Sequence, residues 1–275
     1  MAKYDIYEMI KPNGVEKKTK IKKVSKKLFA FIVIAICSII LVAVYWFLFM
    51  KPSMENAKES KSISDIINKV IIERTGENND KTDMQLKVTE LQKSYSNVVA
   101  WIKIDGTNIN YPVMQTTDNS YYLTHSYNND ISRLGSIYMN KNADVNLPST
   151  NFVVYGHNIT TGVMFNEILN YQKKSYYNEH KIIRFVTPNS DKKYEIVSVF
   201  KSRIFYENET NAFRYYSFIN TTSEEEYNEF VSRAKQSSIY DTGINAKYGD
   251  QLLTLITCEY SNDNGRMVVI AREKN

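Results

Sequence analysis

Few residues of this chain could crosslink it or hold a metal ion. It contains two cysteines and three histidines in 275 residues. Cys37 lies within a long apolar run, so the rest of the chain has one thiol, Cys258, and no partner for an intramolecular disulfide. The histidines and Cys258 lack the spacing of zinc ligands, and no acidic ladder of the EF-hand type is present. We therefore expect no metal, and a Cys258 that is either buried or reactive.

The chain also lacks a basic face, although its net charge is +5. Residues 1–27 contain nine lysines and three acidic residues. Of the 35 basic and 30 acidic residues in the whole chain, 26 and 27 belong to the remainder, which is therefore nearly neutral. The sequence indicates no nucleic-acid partner, because such proteins carry clustered positive charge.

Charged residues are absent from one long apolar run, residues 28–50, which is 23 residues long. As a helix that rises about 1.5 Å per residue, this run would span about 34 Å, which matches a bilayer core. A cleaved secretory signal is the alternative, but its apolar region is shorter, about 7–15 residues, and no convincing cleavage site follows Met50. We predict an uncleaved signal anchor in the cell membrane. The preceding lysines would keep the N-terminus in the cytoplasm and place the rest outside.

These features predict four segments. Residues 1–27 would form a cytoplasmic basic segment, 28–50 a single transmembrane helix, 51–85 an extracellular stalk or N-terminal helical region, and 86–275 the main folded domain. Within the stalk, aliphatic residues recur at helical spacing at Ile63, Ile66, Ile67, Val70 and Ile71.

The folded domain is rich in short apolar runs bounded by turn residues. These runs predict strands at 101–104, 109–113, 135–139, 152–155, 182–187, 194–204, 252–257 and 267–272. Helices are predicted at 84–95, 163–171 and from Ser223 to Lys235. Many short strands with few helices favour a mostly β fold, a barrel with inserted helices.

Three polar side chains stand at the ends of such runs. Cys258 ends one run, Arg266 opens the next, and His157 follows the run that ends at Tyr155. A thiol ionises near pKa ~8.5, and an imidazole can hold the thiolate or protonate a leaving amine. An arginine can stabilise the oxyanion that forms when a thiolate attacks a carbonyl. Each residue alone has an ordinary alternative, namely a buried cysteine, a surface histidine in a turn or a charge beside a hairpin. Together they predict a cysteine enzyme that attacks an acyl group.

The motifs around these residues resemble those of the sortase family. Thr-Leu-Ile-Thr-Cys at 254–258, followed by Arg266, is similar to the TLxTC…R signature, and residues 151–158 resemble the sortase histidine segment. Residues 99–113, 118–123 and 135–137 resemble the first part of a class B sortase domain, and the resemblance covers roughly 86–275.

The predicted helix between the histidine and the cysteine strand indicates the class. Ser223 and Glu226 form an S-x-x-E capping box, and Tyr227, Phe230, Val231 and Ala234 share one helical face. Class B sortases carry such a helix, whereas class A sortases lack it.

The resemblance implies an eight-stranded sortase barrel and a transpeptidase. Cys258 would attack a threonine carbonyl in the C-terminal sorting motif of an exported protein, and His157 would protonate the leaving amine. Arg266 and the backbone N–H of Glu259 would hold the oxyanion. A peptidoglycan cross-bridge amine would then resolve the thioester and join the protein to the wall, and no cofactor would be needed.

The resemblance also implies a substrate groove. Asn119 and Leu123 would line it, and the loop around Phe218 and Ile219 would form its lid, with ordinary loop packing as the alternative. Class B enzymes often have serine where Ile256 stands, so the substrate preference here could differ. Glu259 could orient the thiol or the imidazole, but a solvated surface charge is the expected state.

Two other functions stay open. Pilin-polymerising sortases of class C usually add an N-terminal lid and a C-terminal span, and this sequence ends four residues after Ala271 without one. A catalytically inactive, membrane-tethered binding module on the same fold is the other alternative. The joint presence of cysteine, histidine and arginine argues against it.

Overall fold

The computed structural model describes residues 25–51, 54, 57, 58 and 82–274. The chain divides into two compact units, Met1–Pro52 and Ser53–Asn275. The predicted amphipathic stretch at 63–71 and most of the predicted cytoplasmic segment lie outside the described residues, so these predictions stand as made.

The first unit contains a long apolar helix. Helix α1 spans Lys26–Tyr45 and continues as a π-helical turn over Trp46–Met50. Ser25 caps it, because its hydroxyl accepts a hydrogen bond from the backbone N–H of Leu28. The helix buries none of its side chains, and its most apolar window has a mean hydropathy of 3.0. By length and composition it could cross a membrane.

The second unit is built on a closed barrel of eight strands, as the sequence predicted. The strands are β1 Val98–Lys103, β2 Asn110–Met114, β3 Ile137–Met139, β4 Asn151–Tyr155, β5 Ile182–Val186, β6 Asp191–Arg203, β7 Leu252–Cys258 and β8 Gly265–Glu273. Around the barrel their order is β1-β2-β3-β4-β7-β8-β6-β5, and β5 pairs with β1 to close it. The pairs β2–β3 and β4–β7 are parallel, and the other pairs are antiparallel.

Within residues 82–274, three α-helices accompany the barrel: α2 Asp83–Ser94, α3 Lys174–Glu179 and α4 Glu224–Ser237. Helix α4 buries the four predicted residues Tyr227, Phe230, Val231 and Ala234. It packs on β6, where the Ser198 hydroxyl donates to the Ala234 carbonyl at 2.6 Å. Because α4 covers this outer face, five consecutive residues of β6, Ile196–Phe200, are all buried.

The helix ends differ from prediction in one detail. Only half of the predicted capping box of α4 is present, because Ser223 accepts from the Glu226 N–H while the Glu226 carboxylate accepts from Thr221 instead. At the start of α2, Thr82 and Gln85 form both halves of a capping box.

The helix predicted at 163–171 is wrong in type and start. Met164 has a φ of 56°, in the left-handed region, and the segment then forms a 3-10 turn over Asn166–Gln172. The N–H of Met164 donates to the Tyr111 hydroxyl, and the N–H of Phe165 donates to the His157 carbonyl. These contacts hold the segment against the chain after β4, which prevents a regular helix from starting at Val163.

Candidate active site

The parallel pairing of β4 and β7 brings His157 beside Cys258. The register runs from Asn151 opposite Leu252 to Tyr155 opposite Ile256. It continues past the strand, because the Gly156 N–H donates to the Ile256 carbonyl at 3.1 Å and the Thr257 hydroxyl donates to the Gly156 carbonyl at 2.8 Å. His157 lies two residues after Tyr155, and Cys258 lies two residues after Ile256, the residue paired with Tyr155. His157 and Cys258 therefore leave the strand pair side by side.

Arg266 joins them from the other side of β7. In the antiparallel β7–β8 pair, Cys258 lies directly opposite Arg266. Residues directly opposite in a sheet share a face, with Cβ atoms about 4.5–5.5 Å apart. His157, Cys258 and Arg266 are all half-buried, so a ligand can reach them. The three residues predicted as catalytic from the sequence therefore gather at one end of the barrel.

A backbone carbonyl orients the imidazole. The Nε2 atom of His157 lies 2.8 Å from the carbonyl oxygen of Leu123. A carbonyl can only accept, so Nε2 must donate in this hydrogen bond, and Nδ1 is the ring nitrogen left to exchange a proton. Leu123 ends a 3-10 turn, Tyr121–Leu123, and its side chain is 39% exposed. Leu123 thus contacts His157 through its backbone, a role that its side chain could not indicate.

Both predicted oxyanion donors point at one protein carbonyl. The Nη1 atom of Arg266 donates to the Gly265 carbonyl at 2.8 Å. The backbone N–H of Glu259 donates to the same oxygen at 3.0 Å. The Glu259 N–H therefore belongs to the hairpin between β7 and β8 in this structure, where the sequence had predicted a donor for substrate.

Glu259 itself is not the solvated surface charge that the sequence predicted. Glu259 is only 9% exposed. Its carboxylate forms an ion pair with Lys201 at 3.0 Å and accepts a hydrogen bond from the Ser261 N–H at 3.2 Å. Burial alone would raise the pKa of this carboxyl, but the Ser261 hydrogen bonds and Lys201 outweigh it, and the pKa is lowered. The Glu259 carboxylate therefore interacts with Lys201 and Ser261 rather than with the Cys258 thiol.

The remaining predicted groove residues fall in two places. Asn119 lies in the loop before Leu123, and its Oδ1 accepts from the Lys141 N–H at 2.7 Å. Ile256 is 2% exposed and shares a strand face with Cys258, two residues on. Ile256 therefore lies on the strand face that carries the thiol, whereas Asn119 is held at Lys141, just after β3.

Phe218 and Ile219 are not brought to the thiol. Their carbonyls accept from the side chain and backbone N–H of Asn151, at 2.8 and 2.9 Å. Asn151 begins β4, opposite Leu252, which is six residues or about 20 Å along β7 from Cys258. Phe218 stacks on Phe230 of α4 with ring centroids 4.2 Å apart. The structure places both residues in the packing of α4 at the far end of the strand pair.

Sequence reasoning missed two tyrosines beside the thiol. Tyr138 pairs with Tyr155 across β3–β4, and their rings stack with centroids 5.1 Å apart. Tyr155 lies opposite Ile256, so both rings share the face that carries Cys258. Burial raises the pKa of Tyr138, and Tyr155 and Cys258 raise it further. A tyrosine two residues before a candidate histidine was the available signal, since alternate residues of a strand share a face.

Residues 82–274 and the described parts before them contain no group of three or more His, Cys, Asp and Glu side chains placed to hold a metal. The geometry is that of a thiol enzyme for acyl transfer, in which an imidazole and a guanidinium flank one sulfur.

The comparisons with known proteins agree. The family model described as the Sortase domain matches residues 102–274. The chain is 30% identical over 237 residues to Sortase B of Listeria monocytogenes, which covers 84% of this chain and 93% of the relative. It is 32% identical over 184 residues to Sortase B of Staphylococcus aureus, which covers 66% and 72%. The Staphylococcus aureus sortase B–substrate complex matches with a TM-score of 0.69 at 26% identity, covering 82% of this chain and 99% of the other.

The chain therefore belongs to the sortase family of cysteine transpeptidases, and its relatives support class B.

The hairpin that links Cys258 to Arg266 depends on a glycine. A Cβ built on Gly265 would lie 2.2 Å from the Glu259 carbonyl oxygen and 2.9 Å from that of Asn262. Both are backbone atoms, so the hairpin must open to admit a methyl group. Gly265→Ala should lower the free energy of unfolding by about 1–3 kcal/mol, and it should reduce activity by separating Cys258 from Arg266. Thermal unfolding and peptide cleavage measure the two effects.

Asp263→Ala is the matched control, because Asp263 is exposed in the same loop. It should leave stability and cleavage unchanged. A Gly265→Ala protein with wild-type stability and activity would contradict the tight hairpin.

Proposed function

We propose that this protein is a membrane-anchored transpeptidase that attaches exported proteins to peptidoglycan. It would cleave a C-terminal sorting motif at a threonine carbonyl and transfer the new carboxyl end to a peptidoglycan cross-bridge amine. The observation that carries the proposal is the placement of Cys258 between His157, two residues after β4, and Arg266 on β8.

The chemistry follows from these positions. The Cys258 thiol gives its proton to the His157 imidazole, and the thiolate attacks the threonine carbonyl carbon while the Arg266 guanidinium stabilises the oxyanion that develops. The imidazolium passes this proton to the departing amine, and a thioester remains on Cys258. The incoming amine then attacks this thioester and loses a proton to His157. An amide forms, and the thiolate returns, so no cofactor is consumed.

We expect Arg266 to turn its guanidinium from the Gly265 carbonyl when the oxyanion forms. Its guanidinium has five N–H donors, and the hydrogen bond to Gly265 uses one nitrogen. A developing negative charge is a stronger acceptor than a neutral carbonyl. Formation of the oxyanion on the substrate therefore favours rotation of the Arg266 guanidinium away from the Gly265 carbonyl.

The sorting peptide would lie over the face that carries Tyr155 and Ile256, with Asn119 at its rim. Class B enzymes often have serine at the position of Ile256, which is apolar and 2% exposed here. We therefore expect the sorting motif to present an apolar group to this position rather than a hydrogen-bonding one.

The two alternative functions are less well supported. The relatives that the chain matches are class B enzymes, which does not favour pilin polymerisation. An inactive binding module would have no need for a thiol, an imidazole and a guanidinium at one strand end.

The proposal also includes an orientation, with the N-terminus in the cytoplasm and the catalytic domain outside. The nine lysines of residues 1–27 and the apolar helix Lys26–Met50 support it. In cells stripped of wall, protease added outside should digest the domain and leave a small membrane-protected N-terminal fragment. A protected domain would mean the reverse orientation, and secreted protein that starts just after residue 50 would mean a cleaved signal.

The catalytic proposal is tested by screening the full chain, purified in detergent, against a library of sorting-type peptides. Hydroxylamine is added because it traps a thioester as a hydroxamate. Mass spectrometry should show cleavage after threonine, a hydroxamate on the new C-terminus, and an amide when a cross-bridge peptide replaces hydroxylamine. Cleavage without any trapped acyl product would contradict the thioester.

A further inference from the structure

The loop between β6 and α4 holds a tyrosine in a fixed position beneath the surface. Tyr215 is fully buried at the start of a 3-10 turn, Tyr215–Ser217. Its ring meets Phe200 edge-on, with centroids 5.5 Å apart, and lies 5.2 Å from Tyr216 and 6.1 Å from Phe213. Aromatic neighbours on several sides leave the ring little freedom, so the position of its hydroxyl is set by packing.

The hydroxyl of Tyr215 is buried, and no residue of the described chain meets the full geometry of a hydrogen-bond partner for it. The Ser202 side chain is a polar neighbour whose weak hydrogen bonding slightly opposes the rise in the Tyr215 pKa that burial causes. Other buried tyrosines here are satisfied, since Tyr171 donates to His180, Tyr194 to Gln251 and Tyr227 to Asp250. Burying a hydroxyl without a partner destabilises the folded state, so such exceptions call for an explanation.

Strand register places this hydroxyl beside Arg266. Tyr215 packs on Phe200, which shares a strand face with Ser202, and Ser202 lies directly opposite Arg266 in the β6–β8 pair. Burial raises the pKa of Tyr215, and the charge of Arg266 is the largest effect that opposes the rise. The hydroxyl is thus neutral at physiological pH and close to the guanidinium.

Most N–H donors of the Arg266 guanidinium form no hydrogen bond to the described residues. Among the described residues, Arg266 forms no ion pair, and its one hydrogen bond goes to the neighbouring Gly265 carbonyl. Five N–H groups in a fixed plane can serve an oxyanion and a protein acceptor at the same time. A neutral phenol oxygen is well suited as that acceptor, because a carboxylate would compete with the oxyanion for the positive charge.

We propose that Tyr215 is a positioning residue for Arg266, whose guanidinium donates to the Tyr215 hydroxyl oxygen when it turns from Gly265 to the oxyanion. This inference rests on the proposed function, since it assigns the role of Tyr215 within the same reaction. The Tyr215 hydroxyl, which has no partner of good geometry in this structure, is then an acceptor for Arg266 in the reacting state, and the aromatic rings around it hold it in place.

The test is Tyr215→Phe, which keeps the ring and removes only the oxygen. The full chain in detergent is assayed with the best-cleaved peptide of the library screen, and kcat, KM and Tm are measured. We expect kcat to fall about tenfold or more with KM little changed, because the lost hydrogen bond involves a charged group and forms in the transition state. Tm should stay the same or rise, because an unsatisfied buried oxygen is removed.

Tyr194→Phe is the matched control, since Tyr194 is a fully buried tyrosine on β6 whose hydroxyl donates to Gln251 at 2.8 Å. It lies opposite Glu273, at the end of β6 away from Arg266. This change should lower Tm and leave kcat unchanged, the reverse of the pattern expected for Tyr215→Phe.

A second measurement tests the connection to Arg266. In an Arg266→Lys background, Tyr215→Phe should reduce kcat little further, because the planar donor that it positions is already gone. Wild-type kcat in the single Tyr215→Phe variant would overturn the inference, as would an equal loss in both backgrounds. If wild-type protein forms no Cys258 thioester with any peptide, the proposed function fails and this inference fails with it.

Discussion

Cys258→Ala should abolish peptide cleavage while leaving the fold intact. The sulfur is the atom that bonds to the substrate carbon, and loss of a nucleophile typically reduces kcat by roughly 10⁴-fold or more. Cys258 is half-buried at the end of β7, and the hydrogen bonds of that strand come from its backbone. The substitution therefore removes little packing, and the circular dichroism spectrum and Tm should match the wild type.

The second cysteine supplies the control. Cys37 lies in helix α1, in the other unit of the chain, so Cys37→Ala should leave kcat unchanged. In that background a methanethiosulfonate reagent should label one thiol, Cys258, and block cleavage. A folded Cys258→Ala protein that still cleaves peptide would rule out the cysteine mechanism.

Arg266→Lys should lower kcat by roughly 10²-fold or more. Lysine keeps the positive charge but loses the planar fork, so it cannot donate to an oxyanion and a protein acceptor in the same plane. An interaction made mainly in the transition state affects kcat more than KM, and steady-state kinetics separate the two.

Arg272→Lys on the same strand is the matched control for this variant. Arg272 pairs with Glu195 at 3.1 Å and lies opposite Leu252, at the other end of β7 from Cys258. It should leave kcat unchanged. A near-normal kcat for Arg266→Lys would mean that Arg266 only supports structure or docks substrate.

The reacting residues and the barrel could be predicted from sequence for a local reason. Cys258 follows the strand-like run Leu252–Thr257, in which four of six residues are apolar, and Arg266 precedes the apolar run Met267–Ala271. Strands of this kind are recognisable from their own composition. Helix α4 was equally visible, because its four buried residues repeat at helical spacing within one segment.

The groove was harder to predict because its contacts join distant segments. The lid role predicted for Phe218 and Ile219 depends on where their loop packs. The loop is hydrogen-bonded to Asn151, which is 67 residues away from Phe218 in the sequence. Glu259 has the composition of a surface residue, and only the approach of Lys201, 58 residues away, makes its burial tolerable.

By itself, the sequence determined which chemistry this protein can perform: one thiol in the folded domain, an imidazole and a guanidinium at strand ends, and an apolar helix before them. These are properties of single residues and short runs, and they need no partner to be recognised. The tertiary structure alone decided how the groups meet. Parallel pairing sets His157 beside Cys258 across about 100 residues of chain, the Leu123 carbonyl orients the imidazole, and Tyr215 is buried beside Arg266. Such contacts follow from barrel closure, since closure fixes the register of every strand at once and no segment carries that information alone.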